Sequence, residues 1–310
     1  MKLARAPNAA AIMPTAAIEQ HGPHNPIGLD TMCCMAVARG AAEAVGDLDV
    51  LVSPPLHFGS SDHHRPFPGV LTLRNSTFSL VLLELLESLV LSGYRRILIL
   101  NGHGGNIQLI QQAARDFVLE HPDVRVAAGA YWDIARRRLE AVEASRPVHA
   151  PGHGGNFETS VMLHLHPELV LDELLPIEHA DRDDPRSSGW PKLRMSTMGR
   201  SVNVADVVYM SFPGARITGL SDDARAATAE LGRQYYEIAV EMTARLIRTI
   251  ALLNSISEGI GPQIRPKCAA GRRARAGTPM VVSRLPRLDP TPRAACGLLC
   301  PQPEQSQRFQ

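Results

Sequence analysis

Short apolar runs alternate with longer amphipathic ones along residues 10–253, and this alternation sets the expected architecture. Ala10–Met13, Val50–Ser53, Arg96–Leu100 and Arg125–Ala130 are brief and mostly apolar, as strands buried on both faces require. Thr31–Val45, Ser76–Ser92, Ile107–Glu120, Glu158–Leu165 and Ser221–Leu253 repeat apolar residues at helical spacing. In the second of these, Leu80, Leu83, Leu86, Leu89 and Val90 are expected to pack on the sheet. Strand and helix in repetition predict a single compact α/β domain over residues 1–258, with a mostly parallel central sheet flanked by helices. Residues 181–199, charged and interrupted by Gly and Pro, read as an irregular excursion. From 259 to 310 the periodicity gives way to Arg272-Arg273-Ala274-Arg275, repeated prolines and scattered cysteines, which predicts a disordered basic tail.

Composition narrows the classes. With 310 residues and 45% hydrophobic content the chain can bury a sizeable core, and a formal charge of +1 gives no electrostatic case for nucleic acid or an anionic membrane as the main partner. The basic tail lacks interleaved aromatics and is read as solvated. The five cysteines do not form an extracellular disulfide pattern, the start Met1-Lys2-Leu3-Ala4-Arg5 lacks a secretory apolar region, and no run is long enough to span a membrane. A cytoplasmic location is expected. Cys33 and Cys34 read as small core residues, and Cys296 with Cys300 lacks the second ligand pair of a structural zinc site.

The chemistry concentrates in a few polar stretches. Glu19-Gln20-His21 and Asp30 offer one imidazole and two carboxylates in one loop after the first strand. Two tetrads follow, His103-Gly104-Gly105-Asn106 and His153-Gly154-Gly155-Asn156, each laid out as a loop entering a helix, with Asn106 and Asn156 as expected N-caps. His103 adds a ligand from another strand end, and Glu158 adds one from a helix's first turn. Three carboxylates and two histidines suit two divalent ions, zinc first with manganese or ferrous iron as alternatives, and not calcium. In such a centre Asp30 would bridge the ions, metal-activated water would attack a carbonyl carbon, and His153 would be free to transfer protons. His24 reads either as a donor orienting a ligand carboxylate or as structural. Of His63 and His64, on a segment read as extended, at most one should face the metals, because neighbouring side chains alternate sides. His164 and His166 sit late in a helix, where positive charge suits the dipole. There is no Gly-x-Ser-x-Gly elbow, His-Glu-x-x-His helix, Walker loop, or Gly-x-Gly-x-x-Gly after the first strand.

The motifs Glu19-Gln20-His21-Gly22-Pro23-His24, Asp30-Thr31, Phe67-Pro68-Gly69, Asn101-Gly102-His103-Gly104-Gly105-Asn106 and His153 through Ser160 resemble, in order, those of the creatininase (creatinine amidohydrolase) family. The resemblance covers about residues 10–253. It implies a binuclear centre and hydrolysis of a non-peptide or cyclic C–N amide bond in a small molecule. It also implies a homo-oligomer, often a hexamer. By motif position the family's metal ligands fall on Glu19, His21, Asp30, His103 and Glu158, and its acid/base histidine on His153. Gly104 and Gly105 stand where members acting on creatinine carry Tyr and Glu. The Gly-Gly form is shared with relatives that deformylate a pyrimidine intermediate and with a peptidase that trims the mycofactocin precursor. A metal-dependent peptidase of the mycofactocin-precursor type, a formamide hydrolase of cofactor biosynthesis, and a binding protein that keeps the metal for structure are the alternatives.

Overall fold

The structure, a computed structural model, describes residues 8–65, 67–143, 152–175, 194–197, 200–203 and 224–252. The basic tail lies outside these residues. Four parallel strands, β1 (Ala10–Thr15), β2 (Val50–Val52), β3 (Arg96–Asn101) and β4 (Arg125–Ala130), pair in the order β2-β1-β3-β4. Pro14 lies inside β1, yet its missing N–H falls on the β2 side beyond Val52, so no ladder bond is lost there.

Strand residues divide by parity between two cores. Ala10, Ile12, Leu98 and Leu100 face α1 (Leu29–Val45), α4 (Tyr131–Glu143), α5 (Asn156–Leu165) and α6 (Ala229–Leu252). Ala11, Met13, Ile97 and Ile99 face α2 (Asn75–Leu91) and α3 (Ile107–Glu120). This is the expected parallel α/β sandwich. Each fully buried Leu, Ile or Phe on these faces contributes about 1.5–3 kcal/mol before the entropy of ordering it is subtracted.

Several elements differ from expectation. The buried face of α2 is Phe78, Leu82 and Leu86, while Leu80 is 57% exposed. Leu83, Leu89 and Val90 pack against the same core as expected, so of the five residues read as sheet-facing only Leu80 departs, on a helix with leucine and valine almost all round. The sequence reading left α4 out because it follows β4 without a breaker; Ala135 and Leu139 are its buried stripe. Arg194–Thr197 and Arg200–Asn203 pair as an antiparallel hairpin, β5–β6, partly within the stretch read as irregular. The last helix starts at Ala229, not Ser221; residues 221–223 lie outside the described set.

β1 connects to β2 on one side, and the chain then returns to place β3 on the other. The switch in direction opens a crevice at the carboxyl ends of β1 and β3, the place where open α/β sheets bind ligands. Helix α5 reaches this crevice by packing on α6, and the contact is tight at Gly232: a Cβ there would lie 1.7 Å from the Ser160 carbonyl oxygen. Backbone cannot yield as a flexible side chain would, so Gly232→Ala is expected to cost about 3 kcal/mol, the upper part of the overpacking range. A urea midpoint unchanged from wild type would refute this.

Candidate metal centre

The loop after β1 is closed by its own backbone. Glu19 N–H donates to Ile27 O at 3.1 Å and Leu29 N–H to Pro26 O at 3.1 Å, which turns Glu19 and His21 toward the start of α1. Asp30 is in the first turn of that helix and not in the loop, as the sequence reading had it, so the helix dipole favours its carboxylate. The loop after β3 is locked by Asn101, whose side chain accepts from His103 N–H at 3.2 Å and donates to His103 O at 2.6 Å. Asn106 holds the N-cap position of α3, but its side chain makes no capping bond to the helix. Its side chain joins three segments, accepting from Ser60 N–H at 2.9 Å and donating to Ala16 O at 3.0 Å and Asn101 Oδ1 at 3.1 Å. Asn156 is not the cap of α5; Gly155 holds that place, and Asn156 accepts from the Ser160 hydroxyl at 3.0 Å.

These loops bring all five expected ligands together. His21 Nε2 is 3.0 Å from Asp30 Oδ1, 3.7 Å from Glu19 Oε1 and 3.8 Å from Glu158 Oε2. His103 Nδ1 is 3.1 Å from both Glu19 Oε1 and Asp30 Oδ2. All five residues are buried.

The opposite ring nitrogens indicate what is wanted between them. His103 Nε2 lies 2.9 Å from the Ser60 carbonyl and His21 Nδ1 3.2 Å from the Glu19 carbonyl, so each neutral ring places its N–H there. The other nitrogen then points a lone pair at a carboxylate. Lone pairs facing carboxylates at 3 Å repel unless a proton or a metal ion lies between them, and an N–H on a backbone carbonyl is how metal-binding histidines are commonly oriented. His21 Nε2 and Asp30 Oδ2 are buried without a hydrogen bond, which fits the same reading. The donor set of carboxylate and imidazole suits zinc, manganese or ferrous iron.

His153 joins the cluster from the loop before α5. Its Nδ1 is 3.4 Å from Glu19 Oε1, its ring stacks on His21 at 4.4 Å, and its Nε2 lies 2.5 Å from the Gln20 carbonyl and 3.0 Å from the Gln20 side-chain nitrogen. Glu158 Oε2 accepts from Gly154 N–H at 2.5 Å. Glu19, His21 and Asp30 bring three donor atoms within 4.8 Å of one another, as do His21, His153 and Glu158.

Residues 60–64 form a wall that the sequence reading had only in part, through one of His63 and His64. Asp62–His64 is a 3-10 turn and not an extended run, so His63 and His64 both face the cluster instead of alternating. His64 Nδ1 lies 2.9 Å from Glu19 Oε2, and the Ser61 hydroxyl donates to the same oxygen. His63 stacks on His103 at 5.6 Å. A signal was present in the histidine pair beside Ser61, but reading it required the turn. Among the described residues no carboxylate pairs with His24; its Nε2 is 2.9 Å from the Thr159 hydroxyl, beside Glu158. Cys33 and Cys34 are core residues, and burial raises both thiol pKa values. Trp132 packs beside Tyr131 in the core, and residues 144–151 before His153 lie outside the described set.

Without ions the protons are shared unusually. Burial alone would lower the His21 pKa, but Asp30, Glu158 and Glu19 raise it to about 9. Burial pushes Glu158 up to about 8, the Asp30 carboxylate adding to the shift and His21 opposing it. His103 is raised well above the usual imidazole value because Glu19 and Asp30 outweigh its burial, and Glu19 is lowered because His103, His64 and His153 outweigh its own. His153 is lowered by burial and by His21.

Above pH 6.5 the metal-free folded chain therefore holds protons on His21, His103 and Glu158 that the unfolded chain releases. Stability from Glu158 and His21 is lost as pH rises through about 8 to 9, while ions displace the same protons and stabilise more at high pH. The melting temperature of chelator-treated protein is expected to fall from pH 6.5 to 9, with the increment from added zinc growing over that interval. A flat or rising metal-free curve would show that these protons are not held.

Three carboxylates, with His21, His103 and His153 among them, converge at the switch point of a parallel α/β sheet, a donor set of the kind that could hold metal ions. Comparison with known proteins gives the family. Residues 2–247 match the creatininase family model, described as creatinine amidohydrolase, and the chain belongs to that family. It is similar to a mycofactocin precursor peptide peptidase of Mycolicibacterium smegmatis, 36% identical over 71% of this chain and 80% of that one. It is also similar to a creatinine amidohydrolase of Pseudomonas putida, 28% identical over 76% of this chain and 88% of that one. A solved creatininase variant of the Zn-Zn type superposes with a TM-score of 0.64 and 26% identity, over 80% of this chain and 93% of its own. The protein is a creatininase-family amidohydrolase. No helix among the described residues is long and apolar enough to cross a membrane.

Proposed function

We propose that this protein hydrolyses an amide C–N bond with two divalent ions, one held by Glu19, Asp30 and His103 and the other by His21, Asp30 and Glu158. The observation that carries the reading is the orientation of His21 and His103, each with one nitrogen at a backbone carbonyl and the other aimed at Asp30 from 3.0 and 3.1 Å. Asp30 is thus the bridging carboxylate. Two such ions, zinc by preference or manganese or iron, would acidify a water and polarise the scissile carbonyl.

The protein's own groups do the rest. Ser61 and His64 hold Glu19 Oε2, which leaves Oε1 to face the cluster. His153, lowered toward the neutral form by burial, carries a proton from the nucleophile side to the departing nitrogen, with Gln20 fixing its ring. Gly104 leaves the mouth open, since a Cβ there would meet nothing within 4 Å.

For the substrate we propose a small, non-peptide or cyclic amide, in line with the family resemblance. A peptide's carboxyl end is the second reading, favoured by the 36% identity to the mycofactocin precursor peptidase and by the open space at Gly104. The test is hydrolysis by metal-loaded protein of creatinine, formamides, cyclic ureides and short peptides, before and after chelation. Turnover lost on chelation and restored by metal supports the proposal, and the substrate class that reacts decides between the two readings. Hydrolysis that survives complete removal of metal would overturn the mechanism. Assembly as a cytoplasmic homo-oligomer belongs to the same proposal and is checked by light scattering of the purified chain.

A further inference from the structure

We infer that His63 is an additional ligand to the ion position between Glu19 and His103, supplying from the 62–64 turn a donor that position 105, occupied by glycine, cannot provide. The inference rests on the metal-centre reading above and extends it by one residue.

Glu19, His63 and His103 bring three donor atoms within 4.8 Å of one another. The His63 and His103 rings lie nearly parallel, 12° apart with centroids at 5.6 Å, so their edges can address the same point. Among the described residues no hydrogen bond occupies the His63 ring nitrogens, whereas His64 Nδ1 is engaged with Glu19 Oε2 at 2.9 Å. The two histidines thus divide the work, His64 fixing the carboxylate and His63 remaining available.

At position 105 the loop that carries His103 has no room to help. A Cβ at Gly105 would lie 2.2 Å from the Ser60 carbonyl oxygen and 2.6 Å from His103 Nε2, the two atoms of the hydrogen bond that orients His103. Any side chain at 105 would displace that bond. The wall beginning at Ser60 both excludes a donor at position 105 and continues directly into the turn that presents His63. That turn is held in place by its own hydrogen bonds, His64 N–H to Ser61 O at 3.1 Å and Ser61 N–H to the Thr72 hydroxyl at 2.9 Å. A donor on so fixed a backbone loses little entropy on binding an ion.

The test uses the full chain loaded with cobalt(II), comparing wild type, His63→Ala and His63→Cys. His63→Ala is expected to weaken one of the two ions about 10–100-fold or more in chelator competition and to leave the other unchanged. His63→Cys is expected to add a near-ultraviolet thiolate-to-cobalt absorption that wild type lacks, a signature only direct ligation gives. Absence of that band overturns the inference, including the case in which His63→Ala alone loses affinity, which would make His63 a positioning residue. Wild type that binds two ions while both variants match it sinks this inference alone. Wild type that binds none sinks the metal-centre reading with it.

Discussion

Asp30→Asn protein is expected to lose its ions and to hydrolyse amides about 1,000-fold more slowly or worse, while remaining folded. Asp30 turns a separate oxygen to each of the two candidate ligand histidines, Oδ1 at 3.0 Å from His21 and Oδ2 at 3.1 Å from His103, whereas Glu19 meets both through Oε1 alone, at 3.7 and 3.1 Å. Asparagine keeps the shape but replaces one oxygen with an NH2, a donor where a cation should sit, and removes the charge both ions share. Metal catalysis supplies several kcal/mol of transition-state stabilisation, and each 1.36 kcal/mol is tenfold in rate, which sets the expected loss. Folding should be little affected, because removing a carboxylate that is only 2% exposed also removes the cost of desolvating it. Metal analysis and the melting temperature against chelated wild type separate these effects. Retention of two ions with full turnover would refute the bridging role.

His153→Gln should behave in the opposite way, keeping its ions while turnover falls about 100- to 10,000-fold, the usual worth of a placed general acid or base. The structure makes this a sharp test, because His153 also lies within ligand distance of His21 and Glu158 and, with Glu19 and His64, forms another group of three. If it were a ligand, metal content would fall with activity. If it moves a proton, only kcat should fall. Glutamine can still hydrogen-bond to Gln20 but cannot exchange a proton near neutrality, so the variant changes chemistry more than packing. Loss of metal along with activity would move His153 from proton transfer to coordination.

The parts of the fold that were legible in sequence share a physical reason. β3 is apolar on both faces and bounded by charge and glycine, and only a strand buried between two helical layers asks for that pattern. That the five candidate ligands converge was legible because glycine-flanked histidines and carboxylates near strand ends have few other uses. The failures came where local pattern underdetermines geometry. Leucine on every side of α2 leaves its orientation to the sheet, which is why Leu80 faces outward. Asn106 has the composition of a helix cap, but Ser60 and Ala16, distant in sequence, offer its side chain better-placed partners. His63 and His64 were assigned to opposite faces on an assumption of extended backbone, and the 3-10 turn at Asp62–His64 removes that alternation.

The strand order β2-β1-β3-β4 has a consequence for biosynthesis. The first strand made is an inner one, with a neighbour on each side. A nascent chain that has emerged only as far as α2 has satisfied one edge of β1 and left the other, apolar and unpaired, until residues 96–101 follow. Stalled or truncated translation products of this protein should therefore be sticky ones, held by chaperones or lost to aggregation.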